Sequence, residues 1–311
     1  MSERDEQNAA VRCPICGGRD LEGADYEAAH LLVAPDRRVW RCGGCTHVFL
    51  HPPGSDEELA RLYTADYYAA FEAGAGMAGD RGDEAAPHLR RRLERVERWL
   101  GGRRLLDVGC GKGSFLSYAA SRGWSVVGID VSADAVEFVR RHRGLEAHRA
   151  EIDAGGEAMD EGTGVPPGGV PSGAFDFIHA NHVIEHLCDP LAALRRLRGR
   201  LDPAGMLTVE VPNEFENLFF VLGRRMLPAE RMRRRDPSPH MQFFTPRSLR
   251  RALETAGFRV MSLRTRRWQV GWGDGLLVRT IKRAVALAER VVGRGGNIVA
   301  VARSGDIPGA P

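Results

Sequence analysis

The sequence predicts an α/β fold built on an open, mostly parallel sheet, and three observations carry that expectation. The apolar run Leu105-Leu106-Asp107-Val108 enters a Gly-x-Gly-x-Gly turn, Gly109-Cys110-Gly111-Lys112-Gly113, followed by the helix-compatible stretch Ser114 to Ser121. A second apolar run, Val126-Val127-Gly128-Ile129, closes on Asp130, 19 residues past Gly111. Further on, Phe175 to Ala180 reads as a buried strand and Leu191 to Leu201 as a basic, Leu-rich helix. Asp202-Pro203-Ala204-Gly205 then reads as a turn and Met206 to Val211 as another strand. Strand, helix and strand at this spacing form parallel sheets. Glycines without Cβ let a backbone turn sharply and approach a ligand closely. A carboxylate at the tip of the next strand is placed to accept hydrogen bonds from ribose hydroxyls. Nucleoside binding is implied.

Spacing narrows the nucleoside. A dinucleotide fingerprint needs Gly-x-Gly-x-x-Gly before a helix that faces pyrophosphate. Here the sixth position is Ser114 and the third glycine, Gly113, arrives one residue early. Asp107, two residues before the first glycine, would repel pyrophosphate but attract an ammonium or sulfonium group. The run resembles the first motif of class I S-adenosylmethionine-dependent methyltransferases. Phe175-Asp176-Phe177-Ile178, then Glu185-His186-Leu187-Cys188-Asp189-Pro190, then Pro203-Ala204-Gly205 resemble later motifs of that superfamily, over about residues 85 to 265. The resemblance implies a Rossmann-like seven-stranded sheet and S-adenosyl-L-methionine as cofactor. It assigns cofactor contacts to Asp107, Gly109, Cys110, Gly111, Gly113 and Asp130, with Asn181 at the tip of the fourth strand. The third strand, Glu146 to Ala150, is followed by Glu151 and Asp153, where related enzymes place an acid near the adenine amine; Glu151 fits that register better.

The N-terminal part is a different module. Cys13-Pro14-Ile15-Cys16 and Cys42-Gly43-Gly44-Cys45 are separated by 25 residues, a spacing that fits a tetrathiolate zinc site. Four sulfur ligands leave no open position, so such a zinc is structural. Pro52-Pro53, the acidic helix Glu57 to Tyr63 and the tyrosines Tyr67 and Tyr68 follow. Together with the ribbon they resemble a subset of class I methyltransferases associated with small-molecule, sugar or polysaccharide modification. In that subset the aromatic segment acts as a lid; packing is the alternative for Tyr67 and Tyr68.

The expected organisation is therefore residues 1–52 as tail and zinc ribbon, 53–100 as linker and lid helices, 101–304 as the cofactor domain, and 305–311 as a disordered tail. Two insertions, about 214–246 and 268–295, are expected to form a helical substrate cap. Residues 154–173 are Gly/Pro-rich and read as a surface loop. The helix Pro87 to Leu100 places Leu89, Leu93, Val96 and Leu100 on one face. Arg259 to Arg264 and Asn297 to Arg303 read as antiparallel strands.

Methyl transfer from a sulfonium is an in-line displacement, so alignment is the main task, and an oxygen or carbon acceptor can also require a base. His182, Glu185 and His186 share a face if their segment is helical. The Glu-His pair resembles quinone-pathway O-methyltransferases, but Asn181 and His182 stand where those enzymes carry more carboxylates, which weakens a metal role here. His240 precedes the helix Arg247 to Ala256, which Thr245 caps and Pro246 opens. The resemblance puts it facing the mouth of the site and makes it the first choice for base or acceptor-orienting residue, with a structural hydrogen bond as the alternative and His182 and His186 next.

Composition is that of an ordinary globular protein, 43% hydrophobic and 27% charged. No run of 18 apolar residues occurs, and the polar, acidic Met1 to Asn8 is unlike a signal peptide, so a cytoplasmic location is expected. Residues 222–283 hold 16 Lys/Arg against 4 Asp/Glu, while the rest of the chain holds 28 against 37. That asymmetry reads either as a site for an anionic partner or as a solvated cap. The basic amphipathic stretch Asp274 to Gly293 fits a membrane surface, or, more commonly, packing on the sheet or a second copy. The functional expectation is methylation of an oxygen or carbon on a small acceptor such as a sugar, polysaccharide precursor, lipid or secondary metabolite. An RNA methyltransferase is the alternative, disfavoured because the ribbon is not strongly basic and no Asn/Asp-Pro-Pro-Tyr motif follows the fourth strand. A non-catalytic scaffold is disfavoured by the intact Asp107, Gly109, Gly111 and Asp130.

Overall fold

The structure, a computed structural model, describes residues 11–31, 33, 37–54, 85–152, 173–232, 240–266, 287–289 and 291–305. The expected helix Glu57 to Tyr63, Tyr67, Tyr68, Asp153, nearly all of the Gly/Pro-rich loop, most of the second insertion and all of the expected tail but Gly305 lie outside these residues. The cofactor domain begins with α2 (Pro87–Val96), β4 (Arg104–Val108), α3 (Ser114–Ser121), β5 (Ser125–Asp130), α4 (Ala133–Phe138) and β6 (Glu146–Arg149). It continues through β7 (Phe175–Asn181), α5 (Pro190–Arg200), β8 (Leu201–Pro212), α6 (Leu218–Met226) and α7 (Ala229–Met232). Then come β9 (Gln242–Phe243), α8 (Pro246–Thr255), β10 (Phe258–Arg266) and β11 (Asn297–Ser304). Ahead of them lie β1 (Leu21–Gly23), α1 (Asp25–Leu31), β2 (Arg38–Cys42) and β3 (Val48–His51).

Seven strands form one sheet in the order β10-β11-β8-β7-β4-β5-β6. The pairs from β8 to β6 are parallel, and β11 runs antiparallel to both its neighbours. This is the expected seven-stranded, Rossmann-like α/β architecture. The two-residue period of the strands builds two cores. Leu106, Val127, Ile178 and Leu207 face α5 and α8 through Leu194, Leu197, Leu249 and Leu253. Their immediate neighbours Leu105, Val126, Phe177 and Met206 face α2 and α3 through Leu89, Leu93, Phe115 and Leu116. Each fully buried side chain of this size contributes about 1.5–3 kcal/mol. A shift of one residue in any strand would turn its apolar set to the wrong layer.

The helices start where side chains can satisfy their first amides. Ser132 caps α4, Asp189 caps α5 and Asn217 caps α6. Thr245 caps α8 in a reciprocal box with Ser248, and Pro246 opens that helix. The helix expected to run to Leu100 ends at Val96 and passes into a turn. The Asp202–Gly205 turn is present but lies within the ladder, with the Asp202 carboxylate accepting from the Ala204 amide at 2.8 Å.

The N-terminal module is less separate than its composition suggests. Its antiparallel strands β1, β2 and β3 are extended by β9, which lies in the interval expected to be cap. Phe215 and Phe220, also from that interval, pack with Val39, Val48, Leu50 and Phe243. The sheet edge left open by the ribbon is therefore covered from within the chain.

Candidate active site and cysteine centre

The glycine turn sits where strand order reverses, between β4 and its two parallel neighbours β5 and β7, the position at which open α/β sheets bind ligands. The turn hangs from β5: the Gly109 and Cys110 amides donate to the Ile129 carbonyl at 2.8 and 3.0 Å. Gly109, Gly111 and Gly113 all take left-handed φ values, +69°, +51° and +74°. A Cβ on Gly109 would lie 2.4 Å from Val183 Cγ2, whereas a Cβ on Gly111 would meet nothing within 4 Å, so the turn is open on that side. Asp130 braces the turn from the next strand, its Oδ2 accepting from the Gly111 amide at 2.8 Å and its Oδ1 from the Ser132 amide at 2.9 Å. The Cys110 thiol is pushed far up by burial and by the charges of Asp130 and Asp107, so it stays neutral.

Gly128 was not singled out by the sequence reading, although a glycine inside a strand is a signal of close approach. A Cβ there would meet Cys110 Sγ and Leu116 Cδ1, each at 2.7 Å, so Gly128 lets the turn and α3 lie against β5. Asn181 ends β7, and its side-chain oxygen is buried without a hydrogen-bond partner. Glu151 follows β6, half-buried. Asp107 is buried, its Oδ1 2.7 Å from His179 Nδ1.

Beyond the end of β7, His182, Glu185, His186 and His240 meet, although the segment of the first three is not an α-helix. His182 has φ +55° and Ile184–His186 form a single 3-10 turn. His182 Nδ1 lies 3.1 Å from Glu185 Oε1, and its amide donates to the Glu210 carbonyl at 2.9 Å. Burial disfavours the imidazolium of His182, but the hydrogen bond and charge of Glu185, with Glu210 beyond, outweigh it, so its pKa is raised. His240, expected to face the mouth of the site, is deeply buried. It is 2% exposed, because Met241 donates its amide to the Glu185 carbonyl at 2.9 Å and β9 then joins β3. His240 Nδ1 lies 3.0 Å from Glu214 Oε1, and its ring meets the edge of His186 with centroids 4.7 Å apart. Among the three histidines, His182 has the most accessible side chain, 24% exposed against 9% for His186 and 3% for His240. Glu185, His186 and His240 bring three ligand atoms within 4.8 Å of one another, so this corner has donors for a cation as well as for a proton.

The four cysteines converge. Cys13 and Cys45 sulfurs are 3.5 Å apart, as are those of Cys16 and Cys42, and all four lie within 4.8 Å of one another. A tetrahedral zinc with bonds of about 2.3 Å spaces its sulfurs about 3.8 Å apart, so the residues fit that ion. The knuckles are formed by backbone bonds: the Gly17 amide donates to the Cys13 carbonyl at 2.9 Å and the Thr46 amide to the Cys42 carbonyl at 2.8 Å. Gly17 and Thr46 both adopt positive φ there, +68° and +65°.

Comparison with known proteins agrees with this geometry. A family described as "Methyltransferase domain" matches residues 77–263. A ubiquinone biosynthesis O-methyltransferase of Aeromonas salmonicida is 27% identical over 170 residues, 53% of this chain and 66% of the relative. Another, from Xanthomonas campestris, is 32% identical over 114 residues, 37% of this chain and 45% of the relative. The chain thus spans about half to two thirds of the length of these curated relatives. Among solved structures, a Burkholderia thailandensis 1,6-didemethyltoxoflavin-N1-methyltransferase aligns with TM-score 0.51 at 15% identity, covering 88% of this chain and 98% of that one. A putative methyltransferase in complex with the Haloferax volcanii Trm112 activator aligns with the same score at 18% identity, over 79% and 97%. These two likenesses speak to the fold alone. The family match covers more than half of the chain and contains the glycine turn, Asp130 and the parallel strands around them, and on that basis the chain belongs to the class I S-adenosylmethionine-dependent methyltransferases.

Proposed function

We propose that this chain transfers a methyl group from S-adenosylmethionine to an oxygen or carbon of a small-molecule acceptor, and that its four cysteines hold a structural zinc. The single observation that carries the first part is the open, left-handed glycine turn at Gly111, faced by Asp130 and placed at the sheet's switch point. When bound, the cofactor supplies an electrophilic methyl on a sulfonium. In this reading the Asp130 carboxylate receives the ribose hydroxyls, Asp107 offers negative charge to the methionine end, and Glu151, just past β6, and Asn181, at the end of β7, border the rest; Asp153, outside the described residues, is the alternative acid. The named activity of the Aeromonas and Xanthomonas relatives supports an O-methyl acceptor.

His182 is the leading base in this reading. Its Nδ1 is held by Glu185, which stabilises the imidazolium that forms on proton uptake, and it is the most accessible of the three histidines. His240, oriented by Glu214, sets the ring of His186 rather than meeting the acceptor first. The exposed apolar residues Phe219 and Met226 on α6, beside Arg225, suit an acceptor with both apolar and anionic parts, while Arg224 is engaged by Glu27.

The test is a panel of phenolic, sugar and lipid acceptors with labelled S-adenosylmethionine, followed by His182→Ala and His240→Ala. Loss of a general base lowers turnover by about 10²–10⁴-fold. We expect that loss in His182→Ala and a smaller one in His240→Ala; a larger loss in His240→Ala would reverse the assignment. No transfer to any acceptor, with no cofactor binding, would overturn the function itself.

A further inference from the structure

Beneath the glycine turn runs a buried chain of polar groups that the methyl-transfer chemistry does not by itself require. It starts at Asp107, passes to His179 on β7, then to Arg92 on α2 and to Glu210 on β8. All four are at most 9% exposed. Such a row would be costly to bury unless every member were satisfied. Arg92 lies on the same helical face as Leu89, Leu93 and Val96, where an apolar residue would ordinarily stand.

The direction of the bonds follows from donor chemistry. Arg92 Nη1 lies 3.0 Å from His179 Nε2, and a guanidinium can only donate, so Nε2 accepts. The ring proton of His179 is then on Nδ1, which donates to Asp107 Oδ1 at 2.7 Å. Burial keeps His179 neutral, its pKa lowered despite the neighbouring Asp107. Arg92 is held in turn by an ion pair to Glu210 Oε2. The other oxygen of Glu210 accepts from Arg266 Nε at 3.1 Å and from Asn297 Nδ2 at 2.6 Å. Glu210 stays ionised, since the opposing charges of Arg92 and Arg266 outweigh its burial. Each donor and acceptor role is thus fixed, with Arg92 donating both to His179 and to Glu210.

We infer that His179 and Arg92 are positioning residues for cofactor selection: Arg92 forces the tautomer of His179, and His179 holds the Asp107 carboxylate in one rotamer, presenting its Oδ2 to the cationic methionine end of the cofactor. This rests on the cofactor reading above. The arrangement separates two halves of cofactor recognition. Asp130 serves the nucleoside from β5, and the Asp107 relay serves the amino-acid end from β4.

The test measures binding to the full chain by calorimetry with two probes, S-adenosylmethionine and adenosine. Losing one charge-assisted hydrogen bond at Asp107 corresponds to about 10- to 100-fold in affinity. His179→Phe and Arg92→Met should weaken S-adenosylmethionine by that factor and leave adenosine within about 3-fold of wild type. His179→Asn, whose amide nitrogen stands near the lost Nδ1–H, should recover most of the S-adenosylmethionine affinity. Unchanged S-adenosylmethionine binding in His179→Phe would overturn the inference. So would equal losses for both probes, or a His179→Asn variant as weak as His179→Phe, since these mark a purely structural role. If wild type binds neither probe, the cofactor reading fails first. If Arg92→Met does not fold, as judged by circular dichroism, the His179 pair decides alone.

Discussion

Asp130 is the residue on which most of the cofactor argument turns. Its two oxygens accept from the Gly111 and Ser132 amides, so it braces the glycine turn at the point where the proposed cofactor would bind. Asp130→Ala should lower S-adenosylmethionine affinity by about 1–3 kcal/mol, the scale for removing a buried, charge-assisted partner. Titration calorimetry checks this, and unchanged affinity would remove Asp130 from the site. Such single positions were legible because glycine and aspartate have few reasons to recur at this spacing in an apolar context. Gly128 was not, because its reason lies in the Cys110 and Leu116 side chains that close on it from elsewhere. His179 and Arg92 were hidden for the same cause: each reads as an ordinary residue of a strand or an amphipathic helix until the sheet brings them together.

At the level of elements, α2 links the approach segment to the sheet and carries a second titratable group. His88, on α2, has its pKa pushed down to about 4, first by burial and then by the charge of Arg266, with Arg92 and His179 adding and Glu210 opposing. An unfolded histidine titrates near 6.5, so between these values the unfolded chain binds more protons. Stability from neutral His88 is therefore complete above about pH 6.5 and is lost progressively as pH falls toward 4. The effect is at most about 3 kcal/mol, and smaller for a side chain that water partly reaches. Urea unfolding at pH 7 and pH 5 should show a shallower acid loss in His88→Leu than in wild type. Equal losses would mean that other groups carry the acid response. The same scale shows where the strand reading was reliable: β10, β11 and β6 fall within two residues of expectation, because alternation is a local property.

For the whole molecule, the decisive contact is between the ribbon and α8. Besides the β3–β9 ladder, His47 lies within 2.9 Å of Gln242 and 3.3 Å of Ser248, Thr46 within 2.7 Å of Thr245, and Arg247 donates to the Gly44 carbonyl at 2.8 Å. α8 in turn packs on the seven-stranded sheet. The cysteine centre and the cofactor sheet should therefore unfold together. We expect one zinc per chain by metal analysis, and Cys42→Ser to abolish it. The melting temperature of the entire domain should then drop in a single transition, by at least about 5 °C. Two separate transitions, with the sheet melting as in wild type, would show that the ribbon is an appendage.

The sequence by itself determined the parallel sheet, the glycine turn with its carboxylate, and the two Cys-x-x-Cys knuckles, because each is written in residues close together along the chain. Turn chemistry, alternation and ligand spacing all act over a few residues. Only the tertiary structure decided which of the three histidines stays accessible: His182, and not His186 or His240. His240 precedes a good helix cap and was expected at the mouth of the site, yet it is buried beside β9, which pairs with β3 more than 190 residues away in the chain. It alone also revealed the row from Asp107 to Glu210. That row joins α2, β4, β7 and β8, and no local pattern records it: a buried ion pair depends on what the fold places opposite each charge.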